Sequence, residues 1–311
     1  MLLTHGASAA KLPPVALTIG NFDGIHRGHQ AMLERLVHEA RERALISCVL
    51  TFEPHPREFF APRSAPTRLA SLREKLELLA ARRIERVHVE RFTGSFAAIE
   101  PEAFVERVLA KRLKARWLLI GEDFRFGAKR AGDLSLLKGL AARYGYEVEM
   151  MPAVTRAGVR VSSSAVRAAL AAGDLVSAEA LLGRPYAISG RIVHGRKLGR
   201  ALGFATANVQ LKHNRPPLTG IYAVKVYGIG AAPRSGVASL GVRPTITASG
   251  RAVLEAHLFE FSGDLYAAHV RVEFLLKIRD EEKYSDLEAL KAQIARDCEA
   301  AKSFLLEHRD A

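Results

Sequence analysis

The sequence predicts a doubly wound parallel α/β sheet over residues 1–183, followed over 184–311 by a small antiparallel β-barrel with a long C-terminal helix. Three observations predict this. Strand-like and helix-like patterns alternate through the first half, which is how a parallel sheet covered by helices on both faces is written. From Tyr186 onward the pattern changes to short β-like runs punctuated by glycine and proline, the mark of a small barrel rather than more parallel sheet. Near the C-terminus, apolar residues return to helical spacing at Leu287, Leu290, Ile294 and Cys298. A chain of 311 residues also exceeds what one core usually spans.

In order, Val15 to Gly20 is a short apolar run ending in glycine. A helix follows with Leu33, Leu36, Val37, Ala40 and Ala44 on its apolar face, then a second apolar run from Ile46 to Phe52. This βαβ unit is continued by a helix from Ser71 to Arg83, a strand near Val87 and Val89, a helix from Pro101 to Leu113 and a strand from Trp117 to Ile120. A further helical stretch reaches Tyr144 before a strand around Val148. Ser162 to Gly183 reads as two short helices broken at Gly173-Asp174, and Gly183-Arg184-Pro185 closes the domain. The second domain offers strands at Tyr186–Val193, Phe204–Leu211, Ile221–Tyr227, Gly236–Leu240, Val253–Phe261 and Val270–Ile278. Ser285 and Glu288 have the spacing of a capping box for the final helix.

Composition narrows the function classes. The formal charge of +13 admits nucleic acid, an anionic membrane surface or an anionic small molecule as partner. The basic residues are dispersed among acidic ones, without a basic tail or arginine block, so they read as a solvated surface. No apolar run is long enough to span a membrane and no secretory pattern leads the chain. The two cysteines, Cys48 and Cys298, lie far apart and read as small core residues in a reducing cytoplasm.

The first chemical motif joins the first strand to the first helix: Gly20-Asn21-Phe22-Asp23-Gly24-Ile25-His26-Arg27-Gly28-His29. Glycines let the backbone approach a ligand, and free N–H groups at a helix start attract an anion, so a phosphate belongs there. His26 and His29 are three apart and can converge on one phosphate, donating to its oxygens as charge builds. The spacing lacks the i, i+4 histidines and glutamate of a helical zinc site, and the G-x-x-x-x-G-K-[ST] phosphate loop is absent.

This motif resembles the histidine motif of the nucleotidyltransferase superfamily, in the form found in its FMN adenylyltransferase branch. The resemblance continues in order through Thr51-Phe52-Glu53-Pro54-His55-Pro56, Gly121-Glu122-Asp123-Phe124-Arg125-Phe126-Gly127 and Val161-Ser162-Ser163-Ser164-Ala165-Val166-Arg167. It implies that Gly20, Asn21, Phe22, Asp23, Gly24, His26, Gly28 and His29 hold ATP, with Ser162, Ser163, Ser164 and Arg167 on its distal phosphates. It further implies that Pro54, Pro56, Asp123, Phe124 and Arg125 help shape a flavin pocket. Ser164 stands where the family often has threonine, which keeps the hydroxyl. Hydroxyls at a helix start with one guanidinium suit a multiply charged leaving group, and the serine run also serves as an ordinary helix cap. The reaction implied is attack by an FMN phosphate oxygen on the α-phosphorus of ATP, which needs alignment and charge neutralisation rather than a strong base.

The second half opens on a basic glycine loop with Gly195, Lys197, Gly199 and Arg200, followed by Gly203-Phe204-Ala205-Thr206-Ala207-Asn208. This resembles the riboflavin kinase signature, as do Gly220-Ile221-Tyr222-Ala223, Gly241-Val242-Arg243-Pro244-Thr245, Leu254-Glu255-Ala256-His257-Leu258, Gly263-Asp264-Leu265-Tyr266 and Ile278-Arg279-Asp280-Glu281. The resemblance implies that Gly195, Lys197, Gly199, Arg200, Gly203, Thr206 and Asn208 bind ATP. Thr206 and Asn208 would hold Mg²⁺, and Glu255 would accept the proton of the riboflavin 5′-hydroxyl. Without it, Thr206 fits any strand, Asn208 any turn, and Glu255 a solvent-facing position in an apolar alternation. Alanine at 205 replaces the family's proline; losing that stiffness is expected to weaken the kinase, and Ala205→Pro to strengthen it. Ala267 stands where glycine is common.

Together the resemblances cover nearly the whole chain and imply a bacterial bifunctional riboflavin kinase/FMN adenylyltransferase, a cytoplasmic flavoprotein using ATP and Mg²⁺, with riboflavin as substrate and FMN and FAD as products. The expectation includes no nucleic-acid or membrane partner and leaves the oligomeric state open. Two alternatives stay open: a FAD synthetase whose kinase half has lost its activity, with Ala205 as support, and a nucleic-acid-binding barrel, with the +13 charge as footprint.

Overall fold

A computed structural model describes residues 1–6, 12–194, 206–211, 215–243, 251–261, 263 and 265–308. They form two compact units, one of Met1–Pro66 with Leu72–Ser162 and one of Thr67–Ser71 with Ser163 onward.

The first unit runs β1 (Leu2–His5), β2 (Val15–Ile19), α1 (Arg27–Glu42), β3 (Ile46–Glu53), α2 (Pro56–Phe60), α3 (Leu72–Ala81) and β4 (Arg86–Arg91). It continues with α4 (Gly94–Ala97), α5 (Pro101–Phe104), β5 (Ala115–Gly121), α6 (Leu134–Tyr144), β6 (Glu147–Met151) and the small hairpin β7 (Thr155–Arg156) and β8 (Val159–Arg160). Six strands pair in the order β1-β4-β3-β2-β5-β6, all parallel. Alternating side chains feed two cores. On one face Ala16, Val49, Trp117 and Leu119 meet Leu33, Leu36 and Ala40 of α1 and Leu79 of α3; on the other Leu17, Cys48 and Leu118 meet Phe104, Val108, Leu109 and Leu137. Every residue of β2 is buried, as expected of a central strand. β2 lies between β3 and β5, the point where strand order reverses; in open parallel sheets ligands bind beyond the carboxyl ends of the strands at such a point.

The second unit contains α7 (Ser163–Ala172), α8 (Leu175–Leu182), β9 (Tyr186–Val193), β10 (Thr206–Gln210), β11 (Gly220–Tyr227), β12 (Arg234–Arg243), β13 (Arg251–Leu258), β14 (His269–Arg279) and α9 (Leu287–Glu307). The strands close into a barrel in the order β10-β13-β12-β11-β14-β9. Its interior is filled by Ile188, Tyr222, Val224, Leu240, Leu254, Val272 and Phe274, all fully or almost fully buried. Helix α9 covers part of the outside, joining Cys298, Ala301 and Leu305 to Ala223 and Val237. Arg279 clamps it to β14 by a two-pronged pair with Asp297, at 2.8 and 2.6 Å. Both cysteines are buried and free, and burial pushes the Cys48 thiol up to about 12.

The structure departs from the sequence reading in several places. The capping box at Ser285 and Glu288 is not formed: Asp286 is the N-cap and accepts from the Ala289 N–H at 2.8 Å, while Ser285 donates to the Asp286 carboxylate at 2.9 Å. Aspartate caps as well as serine, and its charge favours a helix N-terminus, so the helix begins one residue later. The helix expected from Pro101 to Leu113 is α-helical only to Phe104 and then winds more widely from Val105 to Arg112, keeping Val105, Val108 and Leu109 buried. Strand β1 was not legible, because four mostly exposed residues pairing at a sheet edge carry little periodic signal. The α7–α8 pair, placed before the boundary at 183 by sequence, belongs to the compact unit that holds the barrel.

Candidate active sites

The loop from Gly20 to His26 leaves the carboxyl end of β2 at the switch point. It is strained: Phe22 and Ile25 hold positive φ of 47° and 44°, on either side of Gly24 at 82°. Such backbone for a buried aromatic and a β-branched residue persists only where neighbours over-determine it, and it clusters at ligand sites. The Gly20 N–H donates to Leu50 O at 3.0 Å, and Gln30 Nε2 donates to Ile25 O at 2.8 Å.

His26 is the N-cap of α1; its Nδ1 accepts from the His29 N–H at 3.3 Å. An accepting Nδ1 leaves the ring proton of neutral His26 on Nε2, where it can be donated. The two imidazoles stack with centroids 3.7 Å apart, and Phe22 lies 4.9 Å from His29. Gly28 makes this possible, since a Cβ there would come 3.2 Å from His26 Nδ1. Burial first, then His26 and Lys75, hold the His29 imidazole well below the usual histidine range, so it is neutral near pH 7. Asn21 Oδ1 and His29 Nδ1 are buried and have no hydrogen-bond partner among the described residues. Unsatisfied buried polar atoms are few in folded proteins and recur at catalytic sites, and both of these belong to the loop and helix start that follow β2.

Of the other residues singled out in the sequence, Val161 lies against Gly28, its carbonyl 3.5 Å from the position of a Cβ there. Ser162 ends the first unit, Ser163 and Ser164 open α7, and Arg167 Nε donates to Thr67 O at 2.6 Å. Pro56 is the first residue of α2 behind a His55 cap, with Pro54 just before it. Asp123 pairs with Arg160 at 2.9 Å, Arg125 with Asp133 at 2.7 Å, and Phe124 stacks on Phe126 at 5.6 Å. Sequence reasoning missed a chain of edge-to-face rings, Phe59, Phe60 and Phe92 within 5.6 Å of one another, which continues to Phe52 and Phe96. Phe60 is 67% exposed. The run Glu58-Phe59-Phe60 after Pro56 was the available signal, an apolar pair where a loop should be polar.

In the second unit the barrel brings Thr206, Asn208 and Glu255 to one face. Asn208 stands opposite Glu255, and Thr206 opposite His257, in the β10–β13 register. Directly opposed side chains share a face, and the buried Leu254, Ala256 and Leu258 alternate onto the other, so Glu255 looks outward from the barrel wall. Ser239 lies opposite Glu255 on the β12 side, and its hydroxyl donates to Glu281 at 3.2 Å. His194 stacks on Tyr266 at 3.9 Å. Ala267 has a φ of 65°, so the alanine occupies backbone that glycine adopts without strain. Gly195, Lys197, Gly199, Arg200, Gly203 and Ala205 lie outside the described residues. Thr206 and Asn208 offer oxygen donors of the kind a hard cation takes, and among the described residues no cluster of three His, Cys, Asp or Glu competes for a metal.

Comparison with known proteins decides the family. A FAD synthetase model matches residues 8–165 and a riboflavin kinase model residues 182–305. The Escherichia coli K12 protein named bifunctional riboflavin kinase/FMN adenylyltransferase is 48% identical over 300 residues, covering 96% of each chain. The chain belongs to this family. Its similarity to bifunctional riboflavin kinase/FMN adenylyltransferases extends to Pseudomonas fluorescens, at 48% identity over 92% of this chain and 91% of the other. The Haemophilus influenzae relative is 45% identical over 96% and 97%. A solved structure described as a macrolide-efflux protein from Streptococcus pneumoniae superposes with a TM-score of 0.82 at 27% identity, covering 97% of this chain and 99% of that one. Matches to both domain families favour two activities over a FAD synthetase with a disused kinase half. No helix among the described residues is long and apolar enough to cross a membrane.

Proposed function

We propose that the Gly20–His29 loop transfers AMP from ATP to FMN and that the β10–β13 face transfers the γ-phosphoryl group of ATP to riboflavin. The chain is thus a bifunctional enzyme of flavin cofactor synthesis, with functional halves at 1–183 and 184–311. The observation that carries the first assignment is the strained loop at the switch point, which sets the stacked His26 and His29 at the start of α1, with His29 Nδ1 buried and without a partner among the described residues.

In the first reaction an FMN phosphate oxygen bonds to the α-phosphorus of ATP while the bond to the β-phosphate oxygen breaks and pyrophosphate leaves. The nucleophile is already anionic, so no base is required. His26 and His29 donate to phosphate oxygens, and Gly20, Asn21, Phe22, Asp23, Gly24 and Gly28 shape the backbone around them. Ser162, Ser163, Ser164 and Arg167 take the distal phosphates by hydroxyl, N–H and guanidinium. Pro54, Pro56, Asp123, Phe124 and Arg125, with the exposed ring of Phe60, border the flavin.

In the second reaction Glu255 takes the proton of the riboflavin 5′-hydroxyl as its oxygen bonds to the γ-phosphorus and ADP departs. Thr206 and Asn208 would hold Mg²⁺, which neutralises phosphate charge when bound. Gly195, Lys197, Gly199, Arg200 and Gly203 would cradle the nucleotide. The protein works in the cytoplasm, without nucleic acid or membrane as partner.

The test is a pair of variants assayed for both products. His29→Ala is expected to abolish FAD formation and spare FMN formation; Glu255→Ala is expected to do the reverse when FMN is supplied. Loss of both activities from either change in folded protein would refute the two-site assignment.

A further inference from the structure

Lys75 lies on α3 and is only 4% exposed, an uncommon place for an ammonium. Its Nζ donates to Thr51 Oγ1 at 3.3 Å, and the Thr51 hydroxyl, fully buried at the end of β3, donates onward to Asn21 O at 3.3 Å. Thr51 follows Leu50, whose carbonyl accepts the Gly20 N–H. The chain Lys75–Thr51–Asn21 therefore anchors the entry of the strained loop, as Gln30 anchors its exit at Ile25. Positive φ at Phe22 and Ile25 persists where the surrounding structure over-determines it, and these bonds hold both ends of the segment. The same ammonium is among the causes that keep His29 neutral, which puts its charge within reach of the histidine pair.

We propose that Lys75 is a positioning residue for adenylyl transfer: through Thr51 it fixes the Asn21 backbone, and with it the loop that presents Asn21 and His29 to the ATP phosphates. This rests on the reading of the Gly20–His29 loop as the adenylyl-transfer site. The charge need not touch substrate.

The experiment measures kcat and KM for FAD formation from FMN and ATP in full-length Lys75→Met, Lys75→Arg and Thr51→Val proteins, with FMN formation from riboflavin followed in the same preparations. Lys75→Met is expected to lower kcat for FAD formation about 30- to 100-fold, the penalty of a misplaced site, with KM for FMN changed less than about threefold. Lys75→Arg recovers part of that loss, Thr51→Val loses about tenfold, and FMN formation is unchanged in all three. Rates within about twofold of the parent in both Lys75→Met and Thr51→Val would overturn the proposal, as would a rise in KM with kcat intact. Should Lys75→Met fail to fold, Thr51→Val decides alone: a lowered kcat supports the relay and an unchanged one overturns it. His29→Ala separates the two levels. If it leaves FAD formation intact, the site assignment fails; if it is inactive while the Lys75 and Thr51 variants are active, only this proposal fails.

Discussion

Replacing Gly28 with alanine should separate catalysis from folding in the first unit. The new Cβ would stand 3.2 Å from Nδ1 and 3.3 Å from Cε1 of His26, and 3.5 Å from Val161 O. The first two contacts are too close, so the His26 ring must move away by a few tenths of an ångström. That ring is stacked on His29 at 3.7 Å and accepts its N–H at 3.3 Å, already near the limit of a hydrogen bond. The shift therefore breaks the cap and displaces the histidine pair together. In stability the effects nearly cancel. Alanine gains about 0.5–1 kcal/mol over glycine in a helix, and losing the cap costs about 1 kcal/mol. The midpoint of thermal unfolding should move by no more than about 3 °C. In rate they do not cancel, because a misplaced phosphate donor lowers turnover about 10- to 100-fold. The assay is FAD formation from FMN and ATP beside FMN formation from riboflavin, with thermal unfolding on the same samples. A full rate of FAD formation in Gly28→Ala, or a loss matched by unfolding, would refute the reasoning.

Other predictions follow from the same geometry. Arg279→Met strands the buried Asp297 carboxylate with Gln293, at 2.9 Å, as its remaining side-chain donor among the described residues. Because Arg279 keeps some solvent exposure, the loss should be about 2–3 kcal/mol, read as FMN-forming activity that survives heating to about 5–10 °C less. The double variant Arg279→Met/Asp297→Leu should recover most of it, and a double variant no better than the single would contradict the clamp. His29 has its folded pKa depressed, chiefly by burial, so as pH falls through about 6.5 the unfolded chain binds a proton that the folded chain refuses. Stability is thus lost on acidification from that point down towards the depressed folded value. A His29→Gln protein should show a shallower loss of unfolding midpoint between about pH 6.5 and 5, and parallel curves would speak against a neutral buried His29.

The loop of the first candidate site could be placed from the sequence because its residues, Gly20 to His29, are contiguous, and the apolar run before them and the periodic face after them fix strand, turn and helix. What could not be read depends on residues distant in sequence. Lys75 in an amphipathic helix reads as a solvated side chain, and nothing in the run from Leu72 to Ala81 says that Thr51 lies above it. The aromatic chain is similar, since Phe92, which touches Phe52 and Phe96, also meets Phe59 and Phe60 only once β3 and β4 pair. In the barrel, alternation showed that Glu255 leaves the interior, but the register that sets it opposite Asn208 is made by strand pairing. The cap of α9 was missed by one residue because Ser285 and Asp286 are both good caps, and only the geometry of the helix start chooses between them.

The most direct measurement of the central claim is a chromatographic time course of the purified chain with ATP, Mg²⁺ and riboflavin, run beside one in which FMN replaces riboflavin. A bifunctional enzyme gives FMN followed by FAD in the first reaction and FAD without delay in the second. FAD from FMN alone would contradict the kinase half, and FAD from neither would contradict the account as a whole.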